Sequence, residues 1–67
     1  MMYNKFIVKI PFKATFEDIF SNTKETRSFL AGQEIEGRID NVRGKSYFVT
    51  SDGAGSIINI DYIERIS

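Results

Sequence analysis

Apolar residues along this chain recur mostly at every second position. From Tyr3 to Phe12 they place Phe6, Val8 and Ile10 on one side and Lys5, Ile7 and Lys9 on the other. That is the period of a half-buried strand, which Pro11 ends or holds at a sheet edge. From Glu34 to Asp40 the alternation is strict, with Ile35, Gly37 and Ile39 facing one way and Glu34, Glu36, Arg38 and Asp40 the other. Gly37 leaves a gap in the inner row, which predicts a bend, a bulge or a close approach of backbone. Asn41 to Lys45, containing Gly44, predicts a turn, and Ser46 to Ser51 a further strand. Asp52-Gly53, extended by Ala54-Gly55, predicts a tight hairpin into the returning strand Ser56 to Ile60. The tail predicts a 3₁₀-like turn at Asp61-Tyr62 and a last short strand carrying Ile63 and Ile66.

Two segments break this rhythm. Between Ala14 and Ser21, Phe16, Ile19 and Phe20 are spaced i, i+3, i+4, and Thr15 is followed three residues later by Asp18. Two readings stand for residues 15–21: one or two helical turns, or an irregular loop with Phe16 and Phe20 as plugs over the end of a barrel. Ser21 to Ser28 is polar and reads as a loop inside the domain. Five short strands with tight turns predict an all-β fold: a small five-stranded barrel, closed or nearly so, with residues 1–67 as one domain. Closure also protects apolar strand edges. Left unpaired, Tyr3 to Ile10 or Ser56 to Ile60 would add to a second copy of the chain and make a homo-oligomer.

Composition narrows the chemistry. In 67 residues there are nine Lys+Arg and nine Asp+Glu, no His and no Cys. A disulfide staple, a zinc finger, a His-activated nucleophile and an imidazole switch are thereby excluded. Zero formal charge removes the footprint of a dedicated nucleic-acid binder and of a DNA mimic alike. Met1 to Ile10 is interrupted by Asn4, Lys5 and Lys9, unlike a secretory signal, and no window approaches the ~20 apolar residues of a membrane span. An intracellular, cytoplasmic protein away from membranes is the expectation.

The carboxylate pairs Glu34/Glu36, Glu17/Asp18 and Asp61/Glu64 invite acid–base or metal chemistry. Glu34 and Glu36, however, lie on the outward row of a strand, as solvated partners for Lys or Arg. Asp52 to Ser56 is rich in small residues, as phosphate-cradling loops are, yet it leads into a strand and lacks a following lysine, so it reads as a hairpin turn. No catalytic residue, metal site or cofactor is expected. Arg38, Arg43 and Lys45 lie near Tyr47 and Phe48, an interleaving of cations and aromatics that suits nucleic acid. Glu34, Glu36, Asp40 and Asp52 dilute that charge. Tyr3, Tyr47 and Tyr62 combine an apolar ring with a polar tip, and two readings stand: a recognition patch of the type of side chain that dominates protein interfaces, or caps on the barrel whose hydroxyls bond nearby backbone groups.

Several of these residues follow a known order. Arg27 to Gln33 stands where SH3 domains have a diverging turn, Glu34-Ile35-Glu36 follows as a strand, Tyr47-Phe48 is similar to their aromatic pair, and Ile60 to Ile66 is similar to their closing segment. Residues 27–67 therefore resemble an SH3-like barrel, of the short kind also found among bacterial and phage accessory proteins. Absence of catalytic equipment on a compact scaffold that displays tyrosines points to a non-enzymatic module that binds a partner protein, while the resemblance implies the barrel. It does not extend to the proline-rich ligand: Tyr62 matches the closing tyrosine, but Asn59 stands near the proline's place, Tyr47 replaces the tryptophan, and residues 5–16 lack the tyrosine motif of the first strand. The leading expectation is a module that binds, and modulates, a larger intracellular protein through Tyr47, Tyr62 and the polar loops at Glu25 to Arg27 and Asn41 to Lys45, including Arg43. The second is a nucleic-acid accessory protein using Arg38, Arg43, Lys45 and Tyr47.

Overall fold

The computed structural model describes residues 3–18 and 20–67. Their strands are β1 (Asn4–Val8), β2 (Phe12–Asp18), β3 (Thr23–Phe29), β4 (Glu34–Val42), β5 (Lys45–Thr50), β6 (Ala54–Ile57) and β7 (Ile63–Arg65), with a 3₁₀ turn at Ile60–Tyr62 before the last. All pairings are antiparallel, in the spatial order β3-β2-β6-β5-β4-β1-β7. The all-β expectation holds. The five-stranded, closed arrangement does not: among the described residues there are seven strands, and the sheet is open, with β3 and β7 at its edges.

The two additional strands come from the segments read as helix or loop. In β2 the inward row is Phe12, Ala14 and Phe16, a period of two in which the small Ala14 hides the alternation. Phe20 is no plug. It is 85% exposed and sits beside Gly53, and Ile19 lies outside the described residues. The turn after β2 is set by Asp18, whose carboxylate accepts the Phe20 amide (2.9 Å) and whose carbonyl accepts that of Asn22 (2.8 Å). Asn22 takes a positive φ of 56°, which its short polar side chain tolerates. Most of the polar stretch Ser21 to Ser28 is then strand, laddered to β2 from Asp18↔Thr23 to Phe12↔Phe29.

Strand β4 does two jobs. Residues 34–37 pair with β1 and residues 37–42 with β5, so Gly37 stands at the changeover, opposite both Asn4 and Thr50. A Cβ there would lie 2.5 Å from the Val49 carbonyl oxygen and 2.6 Å from Phe48 Cζ. The gap in the inner row is thus a close approach of backbone and ring, as the sequence predicts. Beneath it lies one core: Phe6, Val8, Phe16, Phe29, Phe48, Ala54, Ile58 and Ile63, drawn from both edge strands as well as the centre. Phe6 meets Phe48 edge-on at 5.4 Å, and Phe12 stacks on Phe29 at 4.7 Å.

Other expectations shift at the element ends. Ile10 and Ile66, expected within the first and last strands, lie past the ends of β1 and β7 and are about half exposed. The strands proposed for self-association are not free edges: β1 is paired to β4 and β7, and β6 to β5 and β2. Edge strand β3 carries Lys24, Glu25 and Arg27, the charge with which edges resist pairing. Among the described residues no helix is long and apolar enough to cross a membrane.

Candidate functional site

Two aromatics in succession on a strand must face opposite ways. Phe48 turns inward and is 1% exposed, which leaves Tyr47 on the outer face, half-buried. Its cross-strand neighbours are Asp40 on β4 and Ile57 on β6. Tyr47 leans across β6, where Gly55 has no side chain to obstruct it: a Cβ on Gly55 would collide with the ring and lie 3.0 Å from the hydroxyl. Val42 and Ile57 share this outward row and are 53% and 57% exposed.

Tyr47 and Ile57 form a ridge between two grooves. One, of about 340 Å³, is lined by Val42, Arg43, Lys45, Tyr47 and Ile57. The other, of about 350 Å³, adds Thr15, Glu17 and Lys24 from the β2–β3 hairpin to Gly55, Ser56 and the same ridge. Arg43 and Gly44 form the two-residue β4–β5 turn with φ of 53° and 78°, the positive pair of a type I′ hairpin. The expected polar loop from Asn41 to Lys45 is therefore only this dipeptide. Asn41, Val42 and Lys45 belong to the strands, and Asn41 and Lys45 are exposed.

The other expected partner-binding residues lie elsewhere. The ring of Tyr62, in the 3₁₀ turn, packs 5.8 Å from that of Phe12, and its carbonyl accepts the amides of Lys9 and Ile10, so it ties down the β1–β2 connection. Glu25 and Arg27 are in strand β3, not a loop. The Arg27 guanidinium lies 4.8 Å over the Phe16 ring, 3.3 Å from Glu25 and 3.6 Å from Asp52 in the β5–β6 turn. Arg27 thus joins two hairpins. Arg38 Nε donates to Asp40 Oδ2 at 3.0 Å, which offsets its charge toward a polyanion. Glu36 faces Lys5 across the β1–β4 ladder, the cross-strand role expected of it.

At the β5–β6 turn the Asp52 carboxyl is held below its ordinary range, first because the Thr50 hydroxyl donates to it. Partial burial works against this, while the Ala54 amide and the Arg27 charge add to it. A carboxyl whose native pKa is depressed stabilises the fold above its unfolded value, about 3.9, and loses that contribution as pH falls through the native value. Asp52→Asn should therefore lower the melting temperature at neutral pH, with the deficit closing in acid. The side chain is 65% exposed, so solvent screening keeps the loss under about 1 kcal/mol. Thermal melts of both proteins across acid pH check this; a deficit that persists below the native pKa would contradict it.

Val42, Gly55, Ile57 and the hairpin residues Thr15, Glu17 and Lys24 were not foreseen as site residues. Ile57 and Ile58 are adjacent, and alternation alone leaves open which one faces out; Ile58 is the buried one, at 8%. Gly55 carried a signal, since a glycine inside a strand marks close approach, but it reads equally as part of the hairpin turn. In comparisons with known proteins, the chain matches no family model, no curated protein and no solved structure.

Proposed function

We propose that this chain is a non-enzymatic protein-interaction module on an SH3-like barrel, and that it docks a partner through the outer face of β4, β5 and β6. Element order supports the barrel: a first strand, a long hairpin, three antiparallel strands joined by tight turns, a 3₁₀ turn and a short closing strand. The observation that carries the docking reading is the Tyr47–Ile57 ridge. Val42 and Ile57 are left more than half exposed beside a half-buried tyrosine, with a groove on either side. Interfaces draw most of their binding energy from a few anchors rich in tyrosine, tryptophan and arginine, with surrounding apolar contacts that exclude water and a polar rim. Tyr62, packed on Phe12 at the β1–β2 connection, leaves the docking role to Tyr47. A second reading, nucleic-acid binding, is favoured by Arg43 and Lys45 flanking Tyr47.

Affinity capture with the chain as bait tests this. Proteins recovered by the wild type should fall at least about thirtyfold with Tyr47→Ala, the loss typical of an interface hot spot. Gly55→Ala should weaken capture as well, since its methyl evicts the ring from β6, while circular dichroism stays unchanged. Equal recovery by wild type and Tyr47→Ala would sink the proposal. Recovery that vanishes with nuclease treatment and moderate salt would favour nucleic acid.

A further inference from the structure

We infer that the groove beside Tyr47 takes an acidic segment of a partner protein, seating one apolar side chain against Val42, Tyr47 and Ile57 and pairing carboxylates with Arg43 and Lys45. This rests on the docking reading above and adds the chemistry of the ligand. The groove's lining holds two cations and no carboxylate; the rest is aliphatic or aromatic. Both cations are exposed and flank Gly44 at one end. Positive charge is therefore concentrated at the β4–β5 turn, and apolar surface lies immediately behind it.

Charges beside Tyr47 and beyond the ridge limit what fits. On the β4 side Asp40 accepts from Arg38, and beyond the ridge Glu17 lines the second groove together with Lys24. A strand of nucleic acid carries a phosphate at every step, so laid across Tyr47 it would bring further phosphates toward Asp40 or Glu17. A peptide confines its carboxylates to the turn end and sets an aliphatic or aromatic side chain on the ridge. Continuing over the ridge, its next residues would meet Thr15, Glu17 and Lys24, a polar surface of mixed sign that suits uncharged hydrogen-bonding groups. The planar fork of Arg43 suits bidentate carboxylate pairing, and Lys45 adds a mobile point charge.

Arg43 also occupies a position that asparagine or glycine fills at lower conformational cost, because its φ of 53° is in the left-handed region. The two roles can be separated. Arg43→Asn should raise the melting temperature and weaken acidic-peptide binding about tenfold.

The test is selection of a random linear peptide library on the immobilised full chain, followed by titration of ¹⁵N-labelled protein with a synthetic peptide from the enriched set. Enriched sequences should combine Asp or Glu with Leu, Ile or Phe, and should move the amide signals of residues 42–47 and 57. Affinity should fall about tenfold with Arg43→Ala or Lys45→Ala, more with Arg43→Glu/Lys45→Glu, and further as salt rises. Enrichment of basic or uncharged peptides that still perturb Tyr47 would overturn the acidic class and leave the docking face standing. Peptides that bind elsewhere, or no enrichment, would overturn both. Displacement of the acidic peptide by an equimolar oligothymidine strand would assign the groove to nucleic acid, and an Arg43→Asn protein binding as tightly as wild type would reduce Arg43 to a turn residue.

Discussion

Replacing Gly37 by alanine is expected to destabilise the fold by about 3 kcal/mol, the upper part of the range for forcing extra atoms into a packed interior. A single core of this size supplies roughly 3–5 kcal/mol, so the variant should keep no more than about 2 kcal/mol and begin to unfold near ambient temperature. The cause is position, not backbone conformation. The added methyl would enter at 2.5 Å from the Val49 carbonyl oxygen and 2.6 to 2.7 Å from the edge of the Phe48 ring. The ring can be shortened and the carbonyl cannot, because Val49 pairs with Arg38 on one side and Gly55 on the other. Phe48→Leu should therefore rescue only part of the loss, and chemical denaturation of the two single variants and the double variant measures that part. Full rescue, or a Gly37→Ala protein as stable as wild type, would show that β4 can move off β5 at the changeover.

The contrast between β4 and β3 shows which information the chain displays. Strand β4 lies between β1 and β5, with one face on the core and the other toward solvent, so its alternation of isoleucine with charge is written in the residues themselves. Strand β3 has a neighbour on one side only, and its inward row of Phe29, Arg27 and Glu25 has a single apolar member. Arg27 fills its inward place by laying its guanidinium over Phe16 and reaching Asp52, a contact between residues 25 apart that no local pattern encodes. The same limit applies to the site. That one of Tyr47 and Phe48 faces out follows from the strand period. Which surface Tyr47 joins depends on β6 and on the β2–β3 hairpin that lies beside it, so the parts of Ile57, Gly55 and Lys24 follow from the strand order. Tyr62 and Tyr47 look equivalent as residues, yet tertiary packing gives one to the β1–β2 connection and the other to the outer face.

Phe16→Ala should cost about 4 kcal/mol, within the range for deleting a buried phenylalanine and close to the whole stability of a core this size. Where stabilising salt keeps the fold populated, its effect should be concentrated in the β2–β3 hairpin. Among the described residues, that hairpin pairs with the rest of the sheet through Glu17↔Gly55 and Asp18↔Ala54. Its attachment therefore depends on the inward side chains, of which Phe16 is 2% exposed, meets Phe29 at 5.8 Å and supports the Arg27 guanidinium that reaches Asp52. Removing the ring takes away the packing and the platform for Arg27 together. Amide exchange should accelerate first and most in β2 and β3, while β4 and β5, whose six-pair ladder is untouched, keep the greater protection. The docking face should divide accordingly. The groove of Thr15, Glu17 and Lys24 would be lost with the hairpin, whereas the groove of Val42, Arg43 and Lys45, built on β4 and β5, would survive wherever those strands remain folded. Uniform loss of protection across all strands would instead mean that the hairpin and the β4–β5 ladder unfold as a single cooperative unit, and that neither groove persists without the other.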